Sequence, residues 1–363
     1  MKKKIKLFSP KINQKEISAA RNTLESYNWA SGAGNNLVKK FEEKFCSYIG
    51  SKECVAVDSG TAALHLALNL AEIRGKEVMV PSFTFVTTVH AITYNGGIPV
   101  FVDIEPNTLS VDLNDLENKI TKKTKAIVPV YFGGFPLEMK NLKKLAGKKS
   151  ITIVEDAAHA CGTKNKNKMV GSENEFCCFS FHPVKNLSMP KGGAITINTK
   201  NSKSIKKELN SLRWCGIDKR KGAFYDVTSL GYNYYMDEIS ASIGIEQLKK
   251  IQSSNKKRYD IAKRYSMELK LDKKMPLNKD CSYHLYWIRV ENREKFMEEM
   301  MKNGIETGAH YPPVHLMTYY KKKISLPNTE KVGKDVVTLP MHPNLTDKEI
   351  DFVIKKANSL IER

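Results

Sequence analysis

The sequence predicts an α/β protein with a mixed, mostly parallel sheet covered by helices on both faces. Short apolar runs rich in Val, Ile and Phe alternate with longer amphipathic segments along residues 54–198. Such alternation of strands and helices favours parallel strands. The length of 363 residues fits a large domain followed by a smaller one.

Seven short apolar runs, bounded by Gly, Pro, Asp or Ser, are the candidate strands of the sheet. They are Cys54–Val57, Val78–Val80, Pro99–Val102, Ala126–Val130, Ile151–Val154, Phe176–Phe181 and Ala194–Asn198. The helix candidates between them are Thr61–Ile73, Leu113–Ile120 and Leu137–Leu145. In the first of these helices, apolar residues recur at the i, i+3, i+4, i+7 spacing of a buried helical face.

The pattern changes after the seventh strand, where helices dominate from about Ser204 to Leu269. One long helix is predicted over Asp237–Ile251, and a mixed α/β tail follows with a strand at Leu285–Val290. We therefore predict a large domain with an N-terminal arm over residues 1–250. A smaller α/β domain is predicted over residues 251–363.

The composition argues against several classes of protein. The formal net charge is +20, but the lysines are scattered, without the aromatic-basic alternation or zinc-finger spacing of nucleic-acid binders. A positive electrostatic field would also attract a small substrate that carries phosphate groups. The seven cysteines form no CxxC pair, which predicts reduced thiols and no metal site. No long apolar run or signal-peptide core is present, so we expect a cytoplasmic protein without a membrane partner.

Polar residues after three of the strands are candidates for a ligand site, because parallel sheets bind ligands beyond the carboxyl ends of their strands. Glu155–His159 follows one strand, Ser180–Lys185 ends the next, and Asp58–Thr61 links a third strand to a helix. Taken singly, each segment has a structural interpretation: a helix N-cap, a solvated lysine and a capped tight turn.

Together, the three segments supply the groups that pyridoxal 5′-phosphate (PLP) needs. Lys185 lies between two buried strands, and burial lowers the pKa of an amine and makes it a nucleophile toward an aldehyde. Asp156 can keep the pyridine nitrogen protonated, so that the ring accepts electrons. Small residues at Gly60 and Thr61 let a helix N-terminus approach the phosphate.

The chain resembles the DegT/StrS family of sugar aminotransferases, whose members have the fold-type-I architecture of PLP enzymes. The resemblance extends from about Trp29 to the C-terminus and rests on motifs in the order of the family. These are Trp29–Gly32, SGTAALHLAL, PSFTFVTT, PVYFGGFP, VEDAAHA, SFHPVKN, GYNYYMDEISASIGIEQL, HYPPVHLMTYY and LPMHPNLT. The resemblance implies PLP as the cofactor and a fold-type-I transferase as the architecture.

The resemblance also implies roles at the reacting end of the cofactor. Lys185 bonds to the PLP aldehyde and later moves a proton between the cofactor and substrate carbons. Asp156 pairs with the pyridinium nitrogen, and His159 contacts the ring hydroxyl. Phe85 stacks on the ring, although it also fits an ordinary core position.

Further roles implied by the resemblance concern the phosphate. Gly60 and Thr61 hold it together with the Ser180 hydroxyl. Asn233 matches a residue that reaches the phosphate from the other subunit, which implies a homodimer with two shared sites. His315 matches a substrate-proximal histidine, and a structural role for it fits equally well.

Two positions depart from the family pattern. Lys191 stands where many members have an acid, and Tyr235 stands where many have the arginine that binds the carboxylate of the amino donor. A neutral phenol cannot replace a bidentate guanidinium. Either another basic residue, such as Lys191 or Arg213, takes this carboxylate, or the donor is handled differently. Lys191, Tyr235 and His315 are therefore the predicted substrate-binding positions.

By this resemblance, the expected activity is transfer of an amino group from an amino acid, L-glutamate in the family, to a keto-sugar. A nucleotide-linked 4-keto-6-deoxyhexose or a 3-keto sugar is the expected substrate class, for glycan or secondary-metabolite biosynthesis. A related dehydrating branch has His in place of the lysine, so Lys185 favours transamination. Two alternatives stay open: a transaminase of a cyclitol-like substrate without a nucleotide, and a PLP-binding regulatory or sensor protein without turnover.

Overall fold

A computed structural model of the protein describes residues 4–361, so the first residues of the basic opening lie outside the described part. The α-helices are α1 (Gln14–Glu25), α2 (Leu37–Ile49), α3 (Gly60–Leu70), α4 (Val86–Tyr94), α5 (Leu113–Lys119), α6 (Met139–Gly147), α7 (Ser202–Arg213), α8 (Glu238–Glu268), α9 (Arg293–Lys302), α10 (Pro327–Asp335) and α11 (Asp347–Ile361). Within residues 4–361, no helix is long and apolar enough to cross a lipid bilayer.

The strands of the main sheet are β1 (Glu53–Val57), β2 (Glu77–Pro81), β3 (Ile98–Val102), β4 (Thr124–Ile127), β5 (Thr152–Asp156), β8 (Phe176–Ser180) and β9 (Gly193–Ile197). The short strands β6 (Lys164–Asn165) and β7 (Lys168–Met169) pair with each other, as do β10 (Ile217–Lys221) with β11 (Phe224–Val227), and β12 (Tyr286–Arg289) with β13 (Val336–Leu339).

The main sheet has seven strands in the order β1-β9-β8-β5-β4-β2-β3. Pairing is parallel from β8 through β5, β4 and β2 to β3, whereas β9 runs antiparallel to both of its neighbours. The predicted mixed, mostly parallel sheet is therefore confirmed. Each predicted strand is present with its bounds shifted by a few residues. The largest change is in β4, which ends at Ile127 rather than Val130, although Val130 still forms an isolated parallel bridge with Asp156.

Helices cover both faces of this sheet, and β8 shows how the sequence divides between them. Cys177 and Phe179 join the apolar layer that contains α2 and the start of α8. Phe176 and Cys178, on the alternate positions, join the layer of α3, α4 and α7. Because side chains alternate along a strand, an apolar run buried on both faces is what such a sheet requires.

The long helix α8 connects the sheet to the C-terminal part of the chain. Asp237 caps it, because its Oδ1 accepts a hydrogen bond from Ser240 N at 2.6 Å. The first turns pack on the layer under the sheet, whereas Ile261 and Tyr265 pack in a separate cluster with β12, β13, α9 and α11. The predicted helix end at Ile251 is wrong, since α8 continues to Glu268. The predicted domain boundary therefore falls inside a continuous helix, and its position stays a prediction.

The prediction that helices dominate residues 204–269 is wrong for one segment. Between α7 and α8 the chain forms the β10–β11 hairpin, which turns at Gly222 with φ +59°. Most of its residues are exposed, including Phe224 and Tyr225. An exposed hairpin has no buried face to impose apolar alternation, so the strand pattern on which the sequence analysis relied is absent here.

Candidate active site

The three sequence segments singled out above meet at the carboxyl edge of the sheet. There they line a cleft of about 400 Å³. The predicted site residues that line it are Gly60, Thr61, Phe85, Asp156, His159, Ser180, Lys185 and Lys191. The cleft is thus built from the ends of β1, β5 and β8 and from the loop before β9.

The loop from β8 to β9 carries Lys185, and hydrogen bonds at Lys185 and at the next residue fix its position. Ser188 Oγ donates to Lys185 O at 2.7 Å. The neighbouring Asn186 is buried, and its Nδ2 donates to Asn255 Oδ1 at 2.9 Å and to Ser282 O at 2.8 Å. Contacts to distant parts of the chain therefore hold this loop in place, with the half-buried Lys185 side chain in the cleft.

The Lys185 amine has the electrostatic setting of a nucleophile. Desolvation lowers its pKa from the ordinary 10.5 to about 8, while the negative charge of Asp156 partly opposes this shift. About a tenth of the amine is consequently neutral at pH 7, far more than for a lysine of ordinary pKa. A neutral amine is the form that attacks an aldehyde.

Asp156 is the last residue of β5, and its carboxylate is held by two donors. Thr88 Oγ1 donates to Oδ2 at 2.7 Å, and Ala158 N donates to Oδ1 at 3.1 Å. Thr84 extends this series of hydrogen bonds, since its Oγ1 lies 2.9 Å from Thr88 Oγ1. Burial raises the pKa of Asp156, although these hydrogen bonds and the charge of Lys185 act against the shift. A buried, oriented carboxylate of this kind gains stability from a cationic partner such as a pyridinium nitrogen.

His159 is held as one neutral tautomer. The backbone N–H of Gly133 can only donate, and it lies 3.2 Å from Nδ1 of His159, so the proton is on Nε2. Nε2 lies 3.3 Å from the hydroxyl of Tyr311. Burial, followed by the charge of Lys185, lowers the pKa of His159 well below its usual value. The cleft therefore contains an N–H donor suited to a ring oxygen.

The opposite end of the cleft begins α3. Ser59 caps this helix, with its Oγ accepting from Ala62 N at 3.1 Å. The next N–H groups, of Gly60 and Thr61, have no acceptor within the helix and are the groups that bind anions at helix N-termini. A Cβ at Gly60 would lie 2.7 Å from Ser180 Cβ, so glycine is required for the Ser180 hydroxyl to close on the helix end. This cradle fits a phosphate.

Three predicted site residues lie outside the cleft lining of the described chain. Asn233 is exposed, and Tyr235 is half-buried. His315 is completely buried, with Nδ1 2.7 Å from Ser82 Oγ and Nε2 3.5 Å from a Glu330 carboxylate oxygen. Desolvation lowers the pKa of His315. Its contacts favour the structural role over the substrate-binding one.

Arg213, one of the two basic residues suggested for the donor carboxylate, is also elsewhere. Its side chain is 1% exposed, and its guanidinium donates to Glu42 and, at 2.7 Å, to Ala56 O. This buried pair joins α7 to α2 and β1. An arginine that is already neutralised and enclosed has no access to a ligand in the cleft, so the suggestion of Arg213 is wrong.

The sequence analysis missed two residues that shape the cleft. Thr88 orients Asp156, and Tyr311 lies beside both His159 and Phe85, with 5.5 Å between the Phe85 and Tyr311 ring centroids. Both residues are within the PSFTFVTT and HYPPVHLMTYY motifs that carried the resemblance. The signal was therefore present, but only the tertiary structure brings these side chains to the carboxylate and the imidazole.

Comparison with known proteins agrees with this geometry. The model of the DegT/DnrJ/EryC1/StrS aminotransferase family matches residues 10–358. An uncharacterized protein of Methanocaldococcus jannaschii, MJ1066, is 35% identical over 98% of this chain and 97% of its own length. Among solved structures, Spr1654 of Streptococcus pneumoniae, which is assigned as a sugar aminotransferase, superposes in its PLP form with a TM-score of 0.94 and 31% identity over 99% of both chains.

A second solved structure is PseC of Helicobacter pylori, an aminotransferase involved in the biosynthesis of pseudoaminic acid. It superposes with a TM-score of 0.93 and 27% identity over 99% of this chain and all of its own. The fold and cleft define a PLP-dependent aminotransferase. The chain belongs to the DegT/DnrJ/EryC1/StrS aminotransferase family, and the solved structures similar to it include sugar aminotransferases. The predicted fold class, enzyme class and cofactor are confirmed.

The pKa of Lys185 provides a test of this site. The acetylation rate of Lys185 in the apoprotein should rise with pH to a midpoint near pH 8, because only the neutral amine reacts. The charge of Asp156 raises the Lys185 pKa, so the Asp156→Asn substitution should move the midpoint to lower pH. Mass spectrometry of the Lys185 peptide measures the rate, and Asp58→Asn is the control within the same cleft. A midpoint near the ordinary 10.5, or an upward shift in Asp156→Asn, contradicts the proposed environment.

Proposed function

We propose that the protein transfers the amino group of L-glutamate to the carbonyl carbon of a nucleotide-linked 4-keto-6-deoxyhexose or 3-keto sugar. The product would serve glycan or secondary-metabolite biosynthesis in the cytoplasm. The observation that carries the proposal is the Lys185 amine, with its lowered pKa, in the same cleft as the oriented carboxylate of Asp156. The similarity to PseC and Spr1654 supports a sugar as the acceptor.

Bound PLP supplies an electron sink that stabilises negative charge on a substrate carbon. The residues of this chain would hold the cofactor in the orientation that this chemistry requires. Gly60, Thr61 and Ser180 would bind the phosphate, and Asp156 would hold a proton at the ring nitrogen. Phe85, which is 52% exposed at the cleft, provides an aromatic face for the ring.

Two further side chains act on protons at the reacting end. His159 would donate a hydrogen bond from Nε2–H to the ring oxygen, because Nδ1 already accepts one from Gly133 N. The Lys185 amine would accept a proton from one of the two reacting carbons, that of the substrate or that of the cofactor, and deliver it to the other. A pKa of about 8 suits both steps, because an acid–base group works best when its pKa is near the working pH.

The donor half of the reaction is tested by the absorbance spectrum. The purified protein with PLP should show a visible band that L-glutamate removes and 2-oxoglutarate restores. Lys185→Ala should lose the band and turnover, whereas Lys168→Ala, which changes an exposed lysine paired with Glu173, should keep both. A band that no amino donor alters would favour the regulatory alternative. A protein that shows no band with PLP would contradict the proposal.

The acceptor is tested after the donor has converted the cofactor to its amine form. Adding a nucleotide-linked keto-sugar should restore the visible band and yield an amino sugar detectable by mass spectrometry. Restoration by a cyclitol ketone, but not by the nucleotide-linked sugar, would favour the cyclitol alternative.

We further propose that the protein is a homodimer with shared sites. Asn233 is exposed and lies outside the cleft of its own chain, which fits a role at the phosphate of a partner. Large apolar side chains are exposed, including Tyr27 at 86% and Leu230 at 85%. In the proposed dimer, we expect the partner subunit to cover side chains of this kind.

Mixed dimers test whether the sites are shared. Lys185→Ala and Asn233→Asp homodimers should each have little activity. A dimer with one subunit of each kind should regain about half of the wild-type activity, because two-fold symmetry leaves one of its sites with both native residues. Separately tagged subunits, purified together, allow the measurement. No recovery in the mixed dimer would show that Asn233 acts within its own subunit.

A further inference from the structure

Lys191 and Asp58 form an ion pair in the cleft, apart from Lys185 and Asp156. The Nζ of Lys191 lies 2.7 Å from Asp58 Oδ2, and both residues line the cleft. The Asp58 side chain is largely enclosed, whereas the Lys191 side chain is 63% exposed. The mechanism above uses neither residue.

The backbone places this ion pair at the phosphate end of the cleft. Gly192, which directly follows Lys191, forms an isolated parallel bridge with Ser59. A Cβ at Gly193 would lie 2.4 Å from the carbonyl carbon of Ser59 and 2.8 Å from Gly60 N. The paired glycines therefore bring the start of β9 directly against the start of α3. Lys191 is consequently adjacent to the phosphate cradle.

The negative charge of Asp58 is unfavourable for phosphate binding at that position. Its Oδ1 accepts a hydrogen bond from Ser59 Oγ at 2.9 Å, which fixes a carboxylate beside the first residues of α3. A carboxylate here repels a phosphate dianion bound to the same helix end. The ammonium of Lys191 offsets this charge. The ammonium group has three N–H donors, and one of them is directed at Asp58. The other two can donate to a further acceptor.

We propose that Lys191 is an additional anchor for the phosphate group of the cofactor, oriented by its ion pair with Asp58. The proposal rests on the proposed PLP function and assigns to this chain a cation that supplements the N–H groups of Gly60 and Thr61. Orientation by Asp58 lowers the entropy that a flexible lysine loses on binding an anion. The alternative role of Lys191, binding the donor carboxylate, requires it near the reacting end, whereas its backbone lies against the phosphate end.

The test compares the affinity of the apoprotein for PLP with its affinity for pyridoxal, which lacks the phosphate. Lys191→Ala should weaken PLP binding by about 10-fold to 100-fold, the size of one charge-assisted hydrogen bond, and leave pyridoxal binding unchanged. Adding Asp58→Asn to Lys191→Ala should restore part of the loss, because the uncompensated carboxylate is then removed. Lys168→Ala is the matched control, since Lys168 is 65% exposed and also ion-paired.

Three results would overturn the proposal. Lys191→Ala could bind PLP with wild-type affinity, could lose PLP and pyridoxal affinity equally, or could keep PLP affinity and raise only the KM for the amino donor. The last result would assign Lys191 to the donor carboxylate. These results are distinct from failure of the proposed function, in which the wild-type protein itself would bind no PLP.

Discussion

Desolvation of the Lys185 amine in the cleft is the physical constraint on which the site depends. Desolvation disfavours the charged forms of both Lys185 and Asp156, so the pKa of the amine falls and that of the carboxyl group rises. The hydrogen bond from Thr88 keeps the carboxylate oriented despite this cost. A site of this kind persists only if the surrounding structure supplies enough stability, because buried charges oppose folding unless they are paired and hydrogen-bonded.

That stability comes from residues that are far in sequence from those lining the cleft. Asn255, on α8, and Ser282 fix the loop that carries Lys185. Ser282 also donates through Oγ to His159 O at 3.1 Å, and its Oγ accepts from Thr163 Oγ1 at 2.8 Å. The C-terminal part of the chain therefore positions both the lysine loop and the histidine segment. The continuity of α8 gives this support a rigid connection to the sheet.

The central part of the site was predictable because its signals are local. Asp156 ends one strand, and Gly60 and Lys185 follow two others within a few residues. The rule that parallel sheets bind ligands at that edge brings them together without knowledge of the remaining fold. The length of α8 was less predictable, because its polar stretch beyond Ile251 lacks a continuous apolar face. The β10–β11 hairpin escaped prediction because its exposed residues show no alternation.

Residue roles that depend on tertiary contacts were beyond the sequence patterns. Thr88 and Tyr311 lie within the motifs, yet no spacing rule directs their hydroxyls toward Asp156 and His159. His315 shows the converse. Its motif position left a substrate contact and a structural role open, and the hydrogen bond between its side chain and Ser82 favours the structural role. A motif identifies which segments approach the site, whereas packing decides which side chain of each segment enters it.

The most direct test of the central claim is chemical identification of the lysine that holds the cofactor. The protein loaded with PLP would be reduced with borohydride, which makes the bond between lysine and cofactor permanent, and its peptides would be analysed by mass spectrometry. The cofactor should be found on the peptide containing Lys185, and Asp156→Asn should carry it on the same residue. Modification of Lys191 or another lysine in place of Lys185, or no modified peptide, would contradict the claim that the desolvated Lys185 amine is the reacting group.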